Sequence, residues 1–294
     1  MSEVIVSPST RIHALRRGVD IDALAARLGR TTITRDDLDR IDGPAPTPSG
    51  PDPTRYWDVD HAAHGPVRIE PLTRFDRVAA ANLAAAQALI PAVTHHDRAD
   101  ISAVEDFRAS LRAEPATAGM KLTTLSFHVK ALARTLRAFP RFNTSLTPDA
   151  EKLVFKDYVH VGIAVDTPAG LVVPVIRNAD RLGLFAIAQA IADLAASAKA
   201  RRLRPEAMGG ASMTITNLGG IGGTAFTPIV NPPEVAILGI TRTEMAPVWN
   251  GTAFVPRPMV PLDLSYDHRV INGAEAARFL AHYAGLLTDP RLLL

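Results

Sequence analysis

The chain has 294 residues, a formal net charge of +2, 47% apolar residues and 5% aromatics. That length suits one large domain plus a small one with a real apolar core, and the near-neutral charge without a basic run argues against a nucleic-acid partner. There is no cysteine, which excludes disulfides, a thiol nucleophile and thiolate metal sites. No signal pattern opens the sequence and no apolar run reaches about 18 residues, so no membrane partner and a cytoplasmic location are expected.

Residues 5–40 read as a small all-α unit. Ser7-Pro8-Ser9-Thr10 starts a helix with Ile12 and Leu15 on its apolar side, Gly18 ends it, and Asp20 caps the next turn. Thr34 is a plausible N-cap for a last short helix carrying Leu38. Residues 41–66 read as a linker, because the proline density from Pro44 to Pro53 suits neither helix nor sheet. Residues 67–294 alternate helical and strand patterns. Helices are expected over 74–90, 122–139, 184–199 and 274–287, and strands over 93–102, 213–216, 235–240 and 260–265. Residues 161–165 and 171–176 form a hairpin around Thr167-Pro168-Ala169-Gly170. The result is an α/β fold, a mixed sheet with long helices.

Close to the C-terminus, Ser265-Tyr266-Asp267-His268-Arg269-Val270-Ile271-Asn272-Gly273 sets one histidine in a polar cluster. Imidazole has the side-chain pKa nearest neutrality, so His268 is a candidate general base for a thiol or hydroxyl. Asp267 and Arg269 read as an ion pair. His61 with His64, and His95 with His96, lack a convergent third ligand, so no metal is assigned.

This stretch resembles the histidine signature of the dihydrolipoamide acyltransferases and of chloramphenicol acetyltransferase. Further segments match the former family in order and spacing: Pro91-Ala92-Val93-Thr94, Phe139-Pro140-Arg141-Phe142-Asn143, Val165-Asp166-Thr167-Pro168-Ala169-Gly170, Thr214-Ile215-Thr216-Asn217-Leu218-Gly219, and residues 226–239 around Asn231-Pro232-Pro233-Glu234. The likeness is greatest to the acetyl-transferring members of pyruvate dehydrogenase complexes. It implies a chloramphenicol-acetyltransferase-like catalytic domain over 67–294 that forms homotrimers, with active-site channels between subunits. CoA enters such a channel as a substrate from one end, and a lipoyl arm enters from the other.

The resemblance further implies that His268 is the base and that Thr216, standing where the family has a serine hydroxyl, is the oxyanion donor. Asn272, where aspartate is commoner, would orient the active-site loop. Phe226, Ile229 and Leu238 match positions near the substrate channel. The tail Asp289-Pro290-Arg291-Leu292-Leu293-Leu294 resembles one that docks trimers into larger cores.

Residues 5–40 resemble a degenerate peripheral-subunit-binding domain, which grips the decarboxylase or dihydrolipoamide dehydrogenase. Its usual Gly-rich basic loop is replaced by Ala26-Arg27-Leu28-Gly29-Arg30-Thr31-Thr32, leaving Arg27 and Arg30 as displaced charge. The first lysine of this sequence is Lys121, so the lipoyl group is expected on another chain, acting in trans. A catalytically silent scaffold subunit, and a CoA-dependent acetyltransferase acting on a small free acceptor, are the alternatives.

Overall fold

A computed structural model describes residues 4–7, 10–11, 13–14, 18–39, 57–114, 121–168 and 170–294. The chain divides into two units, Met1–Glu70 and Pro71–Leu294. Ile12, Leu15 and the proline-dense stretch fall outside the described residues, as does most of the expected linker.

The smaller unit holds α1 (Ile21–Leu28) and α2 (Arg35–Asp39), together with two short strands, β1 (Ile5–Val6) and β2 (Thr32–Ile33). The strands pair in parallel, so a two-strand ladder accompanies the expected helices. Asp20 caps α1 by accepting from the N–H groups of Asp22 and Ala23, and Gly29 ends it in the left-handed conformation. Both follow from helix-end chemistry, since a short acceptor satisfies the first free N–H groups and glycine enters φ > 0 without strain. Thr34 donates its N–H and hydroxyl to Asp37. Asp37 also pairs with Arg30, so that guanidinium is engaged within its own unit. Ala14, Leu24, Ala25, Ile33 and Leu38 form the core.

In the larger unit α3 (Arg74–Leu89) opens with a reciprocal capping box between Thr73 and Asp76 and stops before Pro91. Next come β3 (Ala92–Asp100), α4 (Ser102–Ala113), α5 (Thr124–Ala138), and a hairpin of β4 (Thr144–Leu146) with β5 (Leu153–Phe155). β6 (Val161–Ile163), β7 (Val165–Thr167), β8 (Gly170–Val172) and β9 (Val175–Ile176) fold as nested pairs, β7 on β8 and β6 on β9. The chain continues through α6 (Leu184–Lys199), β10 (Met213–Asn217), β11 (Ala236–Ile240), β12 (Glu244–Trp249), β13 (Phe254–Asp267) and α7 (Gly273–Thr288).

One mixed sheet runs in the order β12-β13-β11-β10-β6-β9, with β3 also paired to β13. Because side chains alternate along a strand, the sheet has two chemically distinct faces. Met213, Ile215, Ala236, Leu238, Ile240, Leu262, Leu264 and Tyr266 face one way. They are buried in the core with Phe127, Leu132, Phe279, Leu280 and Tyr283 of α5 and α7. Thr214, Thr216, Gly239, Asp263 and Ser265 alternate with them and occupy the other face.

At the C-terminus, Leu293 is buried in this core while Leu292 and Leu294 are exposed. Arg134 donates to the Leu294 carbonyl oxygen at 2.5 Å.

Within the core, His128 Nδ1 and the Tyr283 hydroxyl are 2.6 Å apart, joining α5 to α7. Both are fully enclosed, and burial pushes the imidazole pKa down to about 4. Unpairing a buried polar atom costs about 1–3 kcal/mol. Tyr283→Phe is therefore expected to lower the stability measured by urea unfolding by that amount, with an unchanged circular dichroism spectrum. Between pH 6.5 and about 4 the unfolded chain binds a proton that native His128 refuses, so stability falls as pH drops through that window. His128→Gln should make the fall shallower in unfolding curves recorded from pH 7 to pH 4.

Candidate active site

β13 ends at Asp267, whose backbone and carboxylate organise the turn that carries His268. The Asp267 N–H donates to the Val235 carbonyl at 2.8 Å, and its own carbonyl accepts from Val270 and Ile271 at 3.0 and 2.9 Å. Its buried carboxylate accepts from Arg269 Nη2 at 2.6 Å and from the Arg269 N–H at 3.0 Å. Arg141 Nε, on a different segment, donates to the Val270 carbonyl at 2.7 Å. Nothing in the local sequence pattern around Arg141 announces this long-range brace.

His268 projects from this turn, exposed. Its N–H donates to the Pro91 carbonyl at 3.1 Å. Its ring centroid lies 5.7 Å from that of Tyr266. Asn272 is the N-cap of α7: its Oδ1 accepts from the Glu275 N–H at 2.8 Å. The signal was present in the sequence, an amide followed three residues later by Glu275. Gly273 is not left-handed, and a Cβ there would meet only the Tyr266 hydroxyl at 3.7 Å. The turn into α7 thus rests on Asp267 and Asn272 rather than on glycine freedom.

Thr216 lies near the end of β10, half-buried. It is in register with Gly239 of β11, which pairs with Asp263 of β13, which pairs with His96 of β3. Residues in register share a face, so these four positions form one row across the open side of the sheet. Gly239 leaves room for the Phe226 ring: a Cβ there would sit 2.6 Å from a ring carbon. The Phe226 N–H is held by Asp263 Oδ2 at 3.3 Å. Phe226 therefore packs over the middle of the row, next to Thr216.

The loop from Phe226 is fastened again at its far end. Glu234 Oε1 accepts from the Thr214 hydroxyl at 2.9 Å and from Asn231 Nδ2 at 3.2 Å. Thr214 is two residues before Thr216 on the same face, so Glu234 ties this loop to the strand that carries Thr216. Glu234 Oε2 is buried without a partner among the described residues. Burial pushes the carboxyl pKa up to about 7, moderated by those two hydrogen bonds and by Lys156. Ile229, 40% exposed, lines a cavity of about 520 Å³ together with Leu83, Ile90, Pro232, Glu234 and Arg269. Leu238, by contrast, is wholly buried on the helix-facing side of β11. Strand alternation turns it away from the face that holds Thr216.

Thr216 and His268 do not meet within one chain. His268 is five residues beyond Asp263, the β13 member of the Thr216 row. The two are therefore separated by roughly 16 Å along the strands and about 10 Å across them.

The raised Glu234 pKa has a measurable consequence. Between the ordinary carboxylate range and about pH 7 the native state keeps a proton that the unfolded chain releases, so this group's contribution falls as pH rises to 7. Glu234→Gln mimics the protonated form. It is expected to unfold at a higher temperature than the parent at pH 8, with the difference vanishing near pH 4. Equal melting temperatures at pH 8 would contradict this account of the buried carboxyl.

The profile of the 2-oxoacid dehydrogenases acyltransferase (catalytic domain) family matches residues 64–294. The dihydrolipoyllysine-residue acetyltransferase component of the pyruvate dehydrogenase complex of Pseudomonas aeruginosa is 45% identical over all of this chain, which covers 55% of that protein. The corresponding component from Azotobacter vinelandii is 51% identical over 80% of this chain and 37% of its own length. The chain spans about half or less of the length of these curated relatives. A solved structure of dihydrolipoamide acetyltransferase from Azotobacter vinelandii superposes with a TM-score of 0.78 at 51% identity, covering 80% of this chain and 98% of that one. A truncated catalytic core of the 2-oxoacid dehydrogenase multienzyme complex from Thermoplasma acidophilum gives 0.70 at 32% identity, covering 76% of this chain and 99% of that one. With the mixed sheet, the His268 turn and this match over most of its length, the chain belongs to the 2-oxoacid dehydrogenase acyltransferase family and contains its catalytic domain.

Proposed function

We propose that the chain transfers an acetyl group from an S-acetyl-dihydrolipoyl carrier to CoA, as a core subunit of a pyruvate dehydrogenase-type complex. One observation carries this reading. The Azotobacter vinelandii structure was determined in a study of the roles of a serine, a histidine and an asparagine in its catalytic mechanism, spaced by 52 and four residues. Thr216, His268 and Asn272 have the same two spacings.

In the proposed reaction, the neutral imidazole of His268 takes the proton of the CoA thiol. The thiolate attacks the thioester carbonyl, forming a carbon–sulfur bond and a tetrahedral oxyanion. The Thr216 hydroxyl donates a hydrogen bond to that oxygen. Collapse breaks the bond to the dihydrolipoyl sulfur, which takes the proton back from the imidazolium. Asn272 holds the start of α7, and through it the His268 turn.

Because Thr216 and His268 of one chain are far apart, the reaction needs His268 from one subunit and Thr216 from its neighbour. A homotrimer supplies such interfaces. Phe75, Val78, Leu83 and Leu89 of α3 are exposed in the single chain, and an apolar series of this kind is covered in a stable assembly. Exposed Leu292 and Leu294 suit contacts between trimers in a larger core. The unit over 5–40 remains the candidate docking element for the decarboxylase or dihydrolipoamide dehydrogenase, with Arg27 the basic side chain not engaged by Asp37.

The decisive assay is acetyl exchange between acetyl-CoA and free dihydrolipoamide by the assembled protein. His268→Ala is expected to abolish it. Thr216→Val, which removes the hydroxyl and keeps the shape, should lower kcat by roughly 10²–10³-fold, while Thr216→Ser retains activity. Co-assembly of the His268→Ala and Thr216→Val chains should recover part of the rate, since some interfaces then combine both intact groups. An inactive parent protein would overturn this reading in favour of a scaffold, and turnover restricted to small alcohols or amines would favour a free acceptor.

A further inference from the structure

The row that holds Thr216 ends in an arrangement the proposed reaction does not use. His96 Nδ1 lies 2.6 Å from Asp263 Oδ1. Asp263 is 1% exposed, whereas the His96 side chain is 48% exposed. In the neutral imidazole, a carboxylate on Nδ1 selects the Nδ1–H tautomer and leaves the Nε2 lone pair free. No hydrogen-bond partner for Nε2 is found among the described residues. The second Asp263 oxygen takes the Phe226 N–H, and the Phe226 ring packs over Gly239 beside Thr216. One carboxylate thus orients both the imidazole and the aromatic ring that borders the oxyanion donor.

A purely structural ion pair has no need of this geometry. The neighbouring row is closed by Thr94 and Ser265, whose hydroxyls satisfy each other at 2.7 Å. His96 instead turns one nitrogen inward and leaves the other open on the face that Thr216 shares. Three strand spacings, roughly 14 Å, separate β3 from β10. His96 is accordingly too far from Thr216 to act on the reacting carbon. It is well placed for a group carried several bonds away from a reacting thiol.

We propose that His96 is a substrate-binding residue whose Nε2 accepts a hydrogen bond from an amide N–H on the flexible arm that presents a thiol or thioester to Thr216. This inference rests on the acyl-transfer reading above. Two arms carry that chemistry, the pantetheine part of CoA and the lipoyl amide. Asp263 is the positioning residue that accepts from Nδ1 and aims Nε2 outward.

The test uses the assembled full chain. His96→Ala removes the acceptor, and His96→Gln restores a carbonyl oxygen while its amide can still donate to Asp263. For one of the two substrates, KM is expected to rise about five- to tenfold in His96→Ala, the loss typical of one hydrogen bond. In that variant kcat should stay within about twofold, and His96→Gln should recover most of the loss. A KM change for CoA identifies the pantetheine amide, and one for dihydrolipoamide identifies the lipoyl amide. Calorimetric titration of CoA and of lipoamide onto the parent and His96→Ala proteins gives a readout that does not need turnover. Weaker binding of one ligand to a variant whose thermal unfolding matches the parent supports the proposal, even if acyl transfer itself is not found. Unchanged KM and unchanged binding of both ligands in folded His96→Ala would overturn it.

Discussion

The alternation of side chains along β10, β11 and β13 organises everything else in this molecule. Odd and even positions of these strands face opposite ways. One set, from Met213 to Tyr266, is apolar and seals against α5 and α7. The other set, Thr214, Thr216, Gly239, Asp263 and Ser265, is small and polar apart from Ile237, which is buried with Ile90 and Val230. A shift of one residue in any pairing would exchange the two sets and bury hydroxyls and carboxylates under the helices. The burial of the apolar set therefore determines which hydroxyls and carboxylates are available for chemistry.

The loops on the polar face are secured by buried acids. Asp263 holds the Phe226 N–H, Glu234 holds Thr214 and Asn231, and Asp267 shapes the His268 turn. Each carboxylate is engaged by N–H groups, hydroxyls or a guanidinium, which keeps a buried polar group tolerable. Glu234 is the exception in part, since one of its oxygens is unpaired and its pKa is raised accordingly. The His268 turn and the Thr216 strand are each rigidly held, yet they stand far apart in one chain.

Much of the helical part was legible from local chemistry. Asp20 and the proline at position 91 mark helix ends that the structure shows. Other elements escaped for identifiable reasons. β12 contains Pro247, and β13 extends back through Pro261, Pro258 and Pro256. Proline normally argues against a strand, but at a sheet margin, where its missing N–H is not needed, it is accepted. α4 begins directly after β3 with no glycine or proline between them. Its start is marked only by the Asp100 carboxylate accepting from Ser102. Residues 144–155 alternate too briefly to stand out from loop.

By itself the sequence determined the composition of the two units, most helix ends, the ion pair of Asp267 with Arg269, and His268, Thr216 and Asn272 as the residues that resemble a catalytic set. These rest on short-range spacing, which the chain carries in its own order. Only the tertiary structure decided that Leu238 faces the core, that Arg141 braces the His268 turn, and that His96 and Asp263 share a row with Thr216. Those facts depend on tertiary packing, and the last on strand register between segments more than 100 residues apart, His96 and Asp263. Register is set by how the whole apolar face packs, and no local pattern encodes it.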